Sequence, residues 1–347
     1  MEFLLDPGVV YLNHGGYGAC PAPVFARYQE LQRELERNPS EFLGRRFHDL
    51  LAEARAALAG FVGARTEDLV FVPNATAGLN AVIRSLRFGP EDEVLTTRHE
   101  YGAVIRTWEF MGAKLVYAEP GELAGAIGPR TKAVSVSHIT SPTALVLPVE
   151  EICAAARAAG VLSIVDGAHA PGQLPLDLEQ LGADIYAGNC HKWLCAPKGA
   201  AFLWARPEHQ RWIEPLVVSW GYGAEASFAE RHGWQGTRDP AASLAVPVAI
   251  EAHRALDLER CRRLAASFHD RLPPYGATPE PQMWASELAV DDPDALQRRL
   301  FDEHRIEVVV SKWEGKSLLR VSIGPYNEAA DVEGLIEALA ECVALPA

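Results

Sequence analysis

Between about residues 44 and 205 the chain alternates short apolar runs with longer stretches in which apolar positions recur every three or four residues. The first kind fits strands covered on both faces and the second fits amphipathic helices. Strands are predicted over residues 68–72, 93–97, 114–117, 133–137, 162–166, 185–187 and 201–204. A helix over residues 149–159 is predicted to end at Gly160, a residue suited to the left-handed C-terminal cap. This rhythm predicts an α/β fold: a mostly parallel seven-stranded sheet with helices on both faces.

After Pro240 the pattern changes. A helical periodicity over residues 241–272, with Pro247 as a kink, leads into proline-rich turns at residues 273–274 and 279–281. Strands are then predicted over 286–290, 306–310 and 318–322, with helices over 293–304 and 329–344, in α+β order. The division expected is an N-terminal arm at 1–20, a large domain at 21–240 and a smaller α+β C-terminal domain at 241–347. No repeat or low-complexity tract interrupts it.

With 347 residues, 48% of them apolar, the chain can bury one large core or two adjoining ones. Its 32 basic against 46 acidic side chains give a formal charge of −14, which opposes binding to nucleic acid or anionic membrane. Any anionic cofactor must therefore be held by local donors. The N-terminus has no basic segment followed by an apolar one, and no run of roughly 18 apolar residues occurs, so a cytoplasmic protein is expected. The six cysteines form no CxxC pair, so reduced thiols are expected and no metal site is predicted.

Candidate chemistry concentrates at predicted strand ends. Asp166 closes one buried run and Lys192 follows the next, a spacing that fits neighbouring parallel strands. A carboxylate there can pair with a protonated pyridine nitrogen, and an amine beside it can form an imine with an aldehyde on the same ring, which is what pyridoxal phosphate requires. The plainer readings are that Asp166 caps a turn with His169 on the surface, and that Lys192 is a solvated loop lysine. Small residues before Lys192 and Trp193 after it favour a pocket, where a desolvated amine becomes nucleophilic. Lys198, farther from the strand end, is the rival lysine. Residues 74–80 open a helix whose first turn can take a phosphate, or Asn74 is simply its N-cap. Arg320 interrupts an apolar run and needs an anion, either an internal carboxylate or a substrate carboxylate. No GxGxxG follows the first strand, which argues against a dinucleotide site.

Motifs along nearly the whole chain extend this reading. They are Tyr11-Leu12-Asn13-His14-Gly15-Gly16-Tyr17-Gly18, residues 38–47, His99-Glu100-Tyr101-Gly102-Ala103, His138-Ile139-Thr140-Ser141-Pro142-Thr143, residues 166–172, His191-Lys192-Trp193 and Ser219-Trp220-Gly221-Tyr222-Gly223. In order and spacing the chain resembles the class V aminotransferase family of fold-type-I pyridoxal phosphate enzymes, and among them the isopenicillin N epimerase-like members.

The resemblance implies that Lys192 bonds the cofactor aldehyde, Asp166 pairs with the ring nitrogen, His169 contacts the phenolic oxygen and Tyr101 stacks on the ring. It implies Ala75, Thr76 and His191 on the phosphate side, and Ser141 at a position where cysteine desulfurases carry Asn. It further implies a homodimer in which Thr237 reaches the neighbouring subunit's phosphate, and an amino-acid carboxylate on Arg320. His14, Tyr17 and Tyr222 are the candidates for substrate contact and for an acid on the opposite face. The resemblance implies a pyridoxal phosphate enzyme, isopenicillin N epimerase-like, that acts on an amino acid or amino-acid-containing substrate, with the fate of its α-carbanion left open. The alternatives are a C–S lyase of the hercynylcysteine sulfoxide lyase kind, an aminotransferase, or a non-catalytic pyridoxal phosphate carrier, which would have no need of Arg320. Residues 307–319 contain no cysteine, so the persulfide-carrying nucleophile of a desulfurase is missing.

Overall fold

A computed structural model describes residues 1–268, 271–276 and 281–343. Its strands are β1 Val10–Tyr11, β2 Leu69–Val72, β3 Glu93–Thr96, β4 Lys114–Tyr117, β5 Thr131–Ser137, β6 Leu162–Gly167, β7 Ile185–Asn189, β8 Ala201–Ala205, β9 Met283–Leu288, β10 Ile306–Glu307, β11 Val309–Trp313 and β12 Lys316–Ser322. β2 to β8 form one sheet in the order β2-β8-β7-β6-β5-β3-β4. β4, β3, β5, β6 and β7 run parallel, and β8 is antiparallel to both its neighbours. Every residue of β2, β3, β7 and β8 is buried, as a sheet covered on both faces requires. The predicted α/β fold with a mostly parallel seven-stranded sheet is the one observed.

β9, β11 and β12 form a separate antiparallel sheet in the order β11-β12-β9. The run predicted as one strand over 306–310 is divided between sheets: β10 pairs in parallel with β1, while β11 pairs with β12. β9 lies three residues before the predicted strand at its start, set by its register on β12. β11 and β12 are joined by Glu314 (φ 44°) and Gly315 (φ 80°), the two left-handed residues of a tight hairpin turn.

The helix expected over 241–272 is three helices, Ala241–Leu244, Val246–Arg254 and Leu258–Ala266. Pro247 opens the second of them rather than kinking a longer one, because the first turn is where its missing N–H costs nothing. Asp257 starts the third by accepting the Arg260 N–H at 2.9 Å. Part of the predicted helix, residues 269–270, and Pro279 of the second proline-rich turn lie outside the described residues. The C-terminal helix is Ala329–Cys342, and Ala344 also falls outside them.

Buried side chains from 241–252 belong to the core that includes Phe71, Val165 and Phe202 of the large sheet. We therefore propose that the boundary expected at residue 240 be placed after Arg254. The N-terminal arm packs with the C-terminal layer, where Leu12 shares a core with Met283, Ile306 and Val321. It thereby lays residues 13–17 across the carboxyl edge of the large sheet.

Candidate active site

At the amino end of the helix Ala75–Ser85, Asn74 accepts the Ala77 N–H at 2.8 Å, and Asn189, the last residue of β7, accepts the Ala75 N–H at 2.8 Å. The Thr76 N–H between them has no acceptor among the described residues. Such a first turn offers an anion an unpaired donor, a hydroxyl and the positive end of a helix dipole. His191 lines the same cavity. Its Nδ1 donates to the Ala200 carbonyl at 3.0 Å, and burial lowers its pKa to about 4.

Asp166 lies in β6 between Ser137 of β5 and Ala187 of β7. It accepts the Ala168 N–H at 2.9 Å but forms no ion pair among the described residues, and burial raises its pKa. A buried carboxylate without a cation is costly, and a pyridinium N–H is a group that would relieve it. Lys192, on the turn after β7, places Nζ 3.2 Å from His169 Nε2. Burial lowers its pKa to about 8, with Arg320 adding to the effect and Asp166 opposing it. His169 Nδ1 accepts from the Trp193 indole at 3.3 Å, so the neutral ring carries its proton on Nε2, toward the amine. Burial, then Lys192, holds the His169 pKa far down.

Arg320 in β12 donates from Nη1 to the Ser141 carbonyl at 2.8 Å and to Ser141 Oγ at 3.0 Å, and from Nη2 to Asn13 Oδ1 at 3.4 Å. Its buried Nε has no partner and no carboxylate forms an ion pair with it, so the internal-carboxylate reading is not met among the described residues. Burial lowers its pKa to about 10.

Asp166, His169, Lys192, Ala75, Thr76, Tyr101, Ser141, His191 and Tyr17 line one cavity of about 220 Å³. Tyr17 and Tyr101, 69% and 47% exposed, are its accessible aromatic walls. The fit to pyridoxal phosphate rests on the two ends: an amine and an unpaired carboxylate at one, an anion-ready helix turn at the other. Ser141 lines the cavity while holding Arg320. His14 is not brought to the cavity as the sequence suggested: it is fully buried, with both ring nitrogens engaged by protein, which removes it from the candidate acids. Tyr222 and Thr237 line a different, open cavity of about 1460 Å³ with Trp220. Lys198 donates to the Gly18 carbonyl at 3.0 Å, away from Asp166's cavity.

Sequence reasoning missed Asn13, Asn189, Ser137 and Glu100. Glu100 is buried and accepts from Thr97 Oγ1 at 2.7 Å and Ser137 Oγ at 2.6 Å, and burial raises its pKa to about 7. Polar residues closing buried strands, as Asn189 closes β7 and Ser137 closes β5, were the available signal.

The family model for aminotransferase class-V matches residues 10–272. The chain is 37% identical to isopenicillin N epimerase of Amycolatopsis lactamdurans, over 97% of this chain and 96% of that one. It is 35% identical, with the same coverage, to isopenicillin N epimerase of Streptomyces clavuligerus. Among solved structures, a lysine-to-alanine variant of C-DES with glycine covalently linked to its PLP cofactor superposes with a TM-score of 0.84 at 25% identity, covering 96% of this chain and 97% of that one. The chain belongs to the aminotransferase class-V family.

Proposed function

We propose that the chain is a pyridoxal phosphate enzyme that epimerises an amino acid or amino-acid-containing substrate. The observation that carries this reading is the buried Lys192 amine in one cavity with a buried Asp166 carboxylate that forms no ion pair among the described residues. When bound, the cofactor supplies an aldehyde for amine capture and a ring that takes up negative charge from the substrate's α-carbon. Asp166 keeps the ring nitrogen protonated. Thr76 and the first helix turn, with His191, hold the phosphate. Arg320, oriented by Ser141 and Asn13, takes the substrate carboxylate bidentately. Lys192, its pKa lowered toward neutrality, would take the proton from the α-carbon on its own face, and inversion requires the replacement proton to arrive on the other. Tyr17, on the cavity wall, is the remaining candidate for a proton donor on the opposite face.

Epimerisation is preferred over sulfur transfer because residues 307–319 carry no thiol. In place of one, Trp313 stacks on His99 with ring centroids 4.6 Å apart. The likeness to two isopenicillin N epimerases over nearly the whole chain supports the same choice. We also propose a homodimer. Trp220, 94% exposed, and Val218, 63% exposed, mark an apolar face beside Thr237 and Tyr222, and a second copy seated there would bring Thr237 to its neighbour's phosphate turn. No helix among the described residues is long and apolar enough to cross a membrane, and six free thiols suit the cytoplasm.

The test is to load the protein with pyridoxal phosphate, screen amino acids for shifts in its visible absorption, and analyse products by chiral chromatography in deuterated water. Inversion with deuterium incorporated at the α-carbon is expected. A colourless protein, or borohydride labelling of a residue other than Lys192, would sink the reading.

A further inference from the structure

Lys192 must bring one amine to more than one atom, which requires a fixed main chain beneath a mobile side chain. Its carbonyl oxygen accepts the Cys195 N–H at 3.1 Å and, with its second lone pair, His14 Nε2 at 3.1 Å. A carbonyl can only accept, so Nε2 carries the imidazole proton, and Nδ1 is left to accept the Tyr326 hydroxyl at 3.1 Å. His14 is fully buried, and its ring lies 5.0 Å from that of Trp193 and 5.8 Å from that of Tyr326. Burial holds its pKa at about 3, so it stays in this neutral tautomer. The Cys195 thiol, 3.7 Å from Nε2, is the more distant contact. On the other side, Gly18 (φ +71°) lies so close that a Cβ there would fall 1.8 Å from the His191 carbonyl oxygen.

We propose that His14 is a positioning residue for Lys192, transmitting the placement of the C-terminal turn that carries Tyr326 to the main chain from which the amine acts. The inference rests on the cofactor reading above. Its chemistry is a chain of two hydrogen bonds, Tyr326 O–H to His14 and His14 N–H to the Lys192 carbonyl, in which no proton is lost or gained.

The test compares wild type with His14→Phe, which keeps the aromatic packing and removes both hydrogen bonds, and with Tyr326→Phe, which removes only the hydroxyl. Apoprotein is mixed with pyridoxal phosphate, and capture at Lys192 is followed by visible absorbance and by borohydride-fixed label. In parallel, the Kd of pyridoxamine 5′-phosphate, which lacks the aldehyde, is measured by fluorescence quenching. His14→Phe is expected to slow capture by about tenfold or more while changing the analogue's Kd less than about twofold, the mark of misplacement rather than lost binding. Tyr326→Phe should slow capture less, and the double variant should be no slower than His14→Phe. Unchanged capture overturns the proposal, and so does a parallel loss of capture and analogue binding, which a merely structural role would give. If His14→Phe does not fold, Tyr326→Phe decides by the same two readings. Wild type that binds no pyridoxal phosphate overturns the cofactor reading itself, whereas normal capture by wild type and both variants alike overturns only the role of His14.

Discussion

Burial shifts the pKa of three groups at or beside the cavity, Lys192 downward and Asp166 and Glu100 upward, and each has its own signature. Replacing Lys192 by Ala should lower α-proton exchange by about 10²–10⁴-fold, the contribution of a positioned acid–base group, read by deuterium incorporation. Asp166→Asn keeps the shape and removes the charge, so pyridoxal phosphate affinity should fall about 10–100-fold, in line with the roughly 1.5–3 kcal/mol of a charged hydrogen bond. A titration that left affinity unchanged would remove Asp166 from the ring nitrogen. Glu100 makes a pH-dependent prediction for the cofactor-free protein. Its folded pKa is near 7 against 4.5 for the free side chain, with burial as the main cause. Below pH 4.5 it is protonated in both states and costs nothing. As pH rises toward 7 the unfolded chain ionises first, so stability is lost, by up to on the order of 3 kcal/mol. Glu100→Gln should flatten that part of the urea-midpoint profile between pH 4.5 and 8, and a profile parallel to wild type would refute the assignment.

Among the elements, the junction of β7 with the helix Ala75–Ser85 is the most exposed to test. Asn189→Ala leaves the buried Ala75 N–H without its 2.8 Å acceptor, so unfolding by urea should show a loss of about 1–3 kcal/mol. The large sheet was legible in the sequence because strands covered on both faces read as continuous apolar runs. The reversed direction of β8 was not, since an apolar run such as residues 201–204 carries no mark of polarity along the sheet. The helix over 241–272 was read as one element because its apolar spacing runs on through Leu256, hiding the start that Asp257 makes. Asp166 and Lys192 were legible as polar residues at the ends of buried runs. Glu100 was not, because its partner Ser137 comes beside it only through the strand order β6-β5-β3. Asn13 and His14 depend on contacts with residues about 300 positions away, which no local pattern reveals.

For the molecule as a whole, the proposed pairing of two copies gives a joint prediction. Trp220→Asp should weaken self-association by more than about tenfold, as loss of an aromatic anchor at an interface does, measured by sedimentation. Cofactor affinity should fall with it, and Thr237→Ala should lower affinity without dissociating the subunits. A Thr237→Ala protein with undiminished affinity would confine the site to one chain. The pairing of β1 with β10, and of His14 with Tyr326, has a temporal consequence as well. These contacts join residues about 300 positions apart in sequence, and closing so long a loop comes late in folding. The large sheet, whose strands lie nearer one another in sequence, therefore forms before the reactive lysine is clamped, so readiness to capture an aldehyde waits on that last closure.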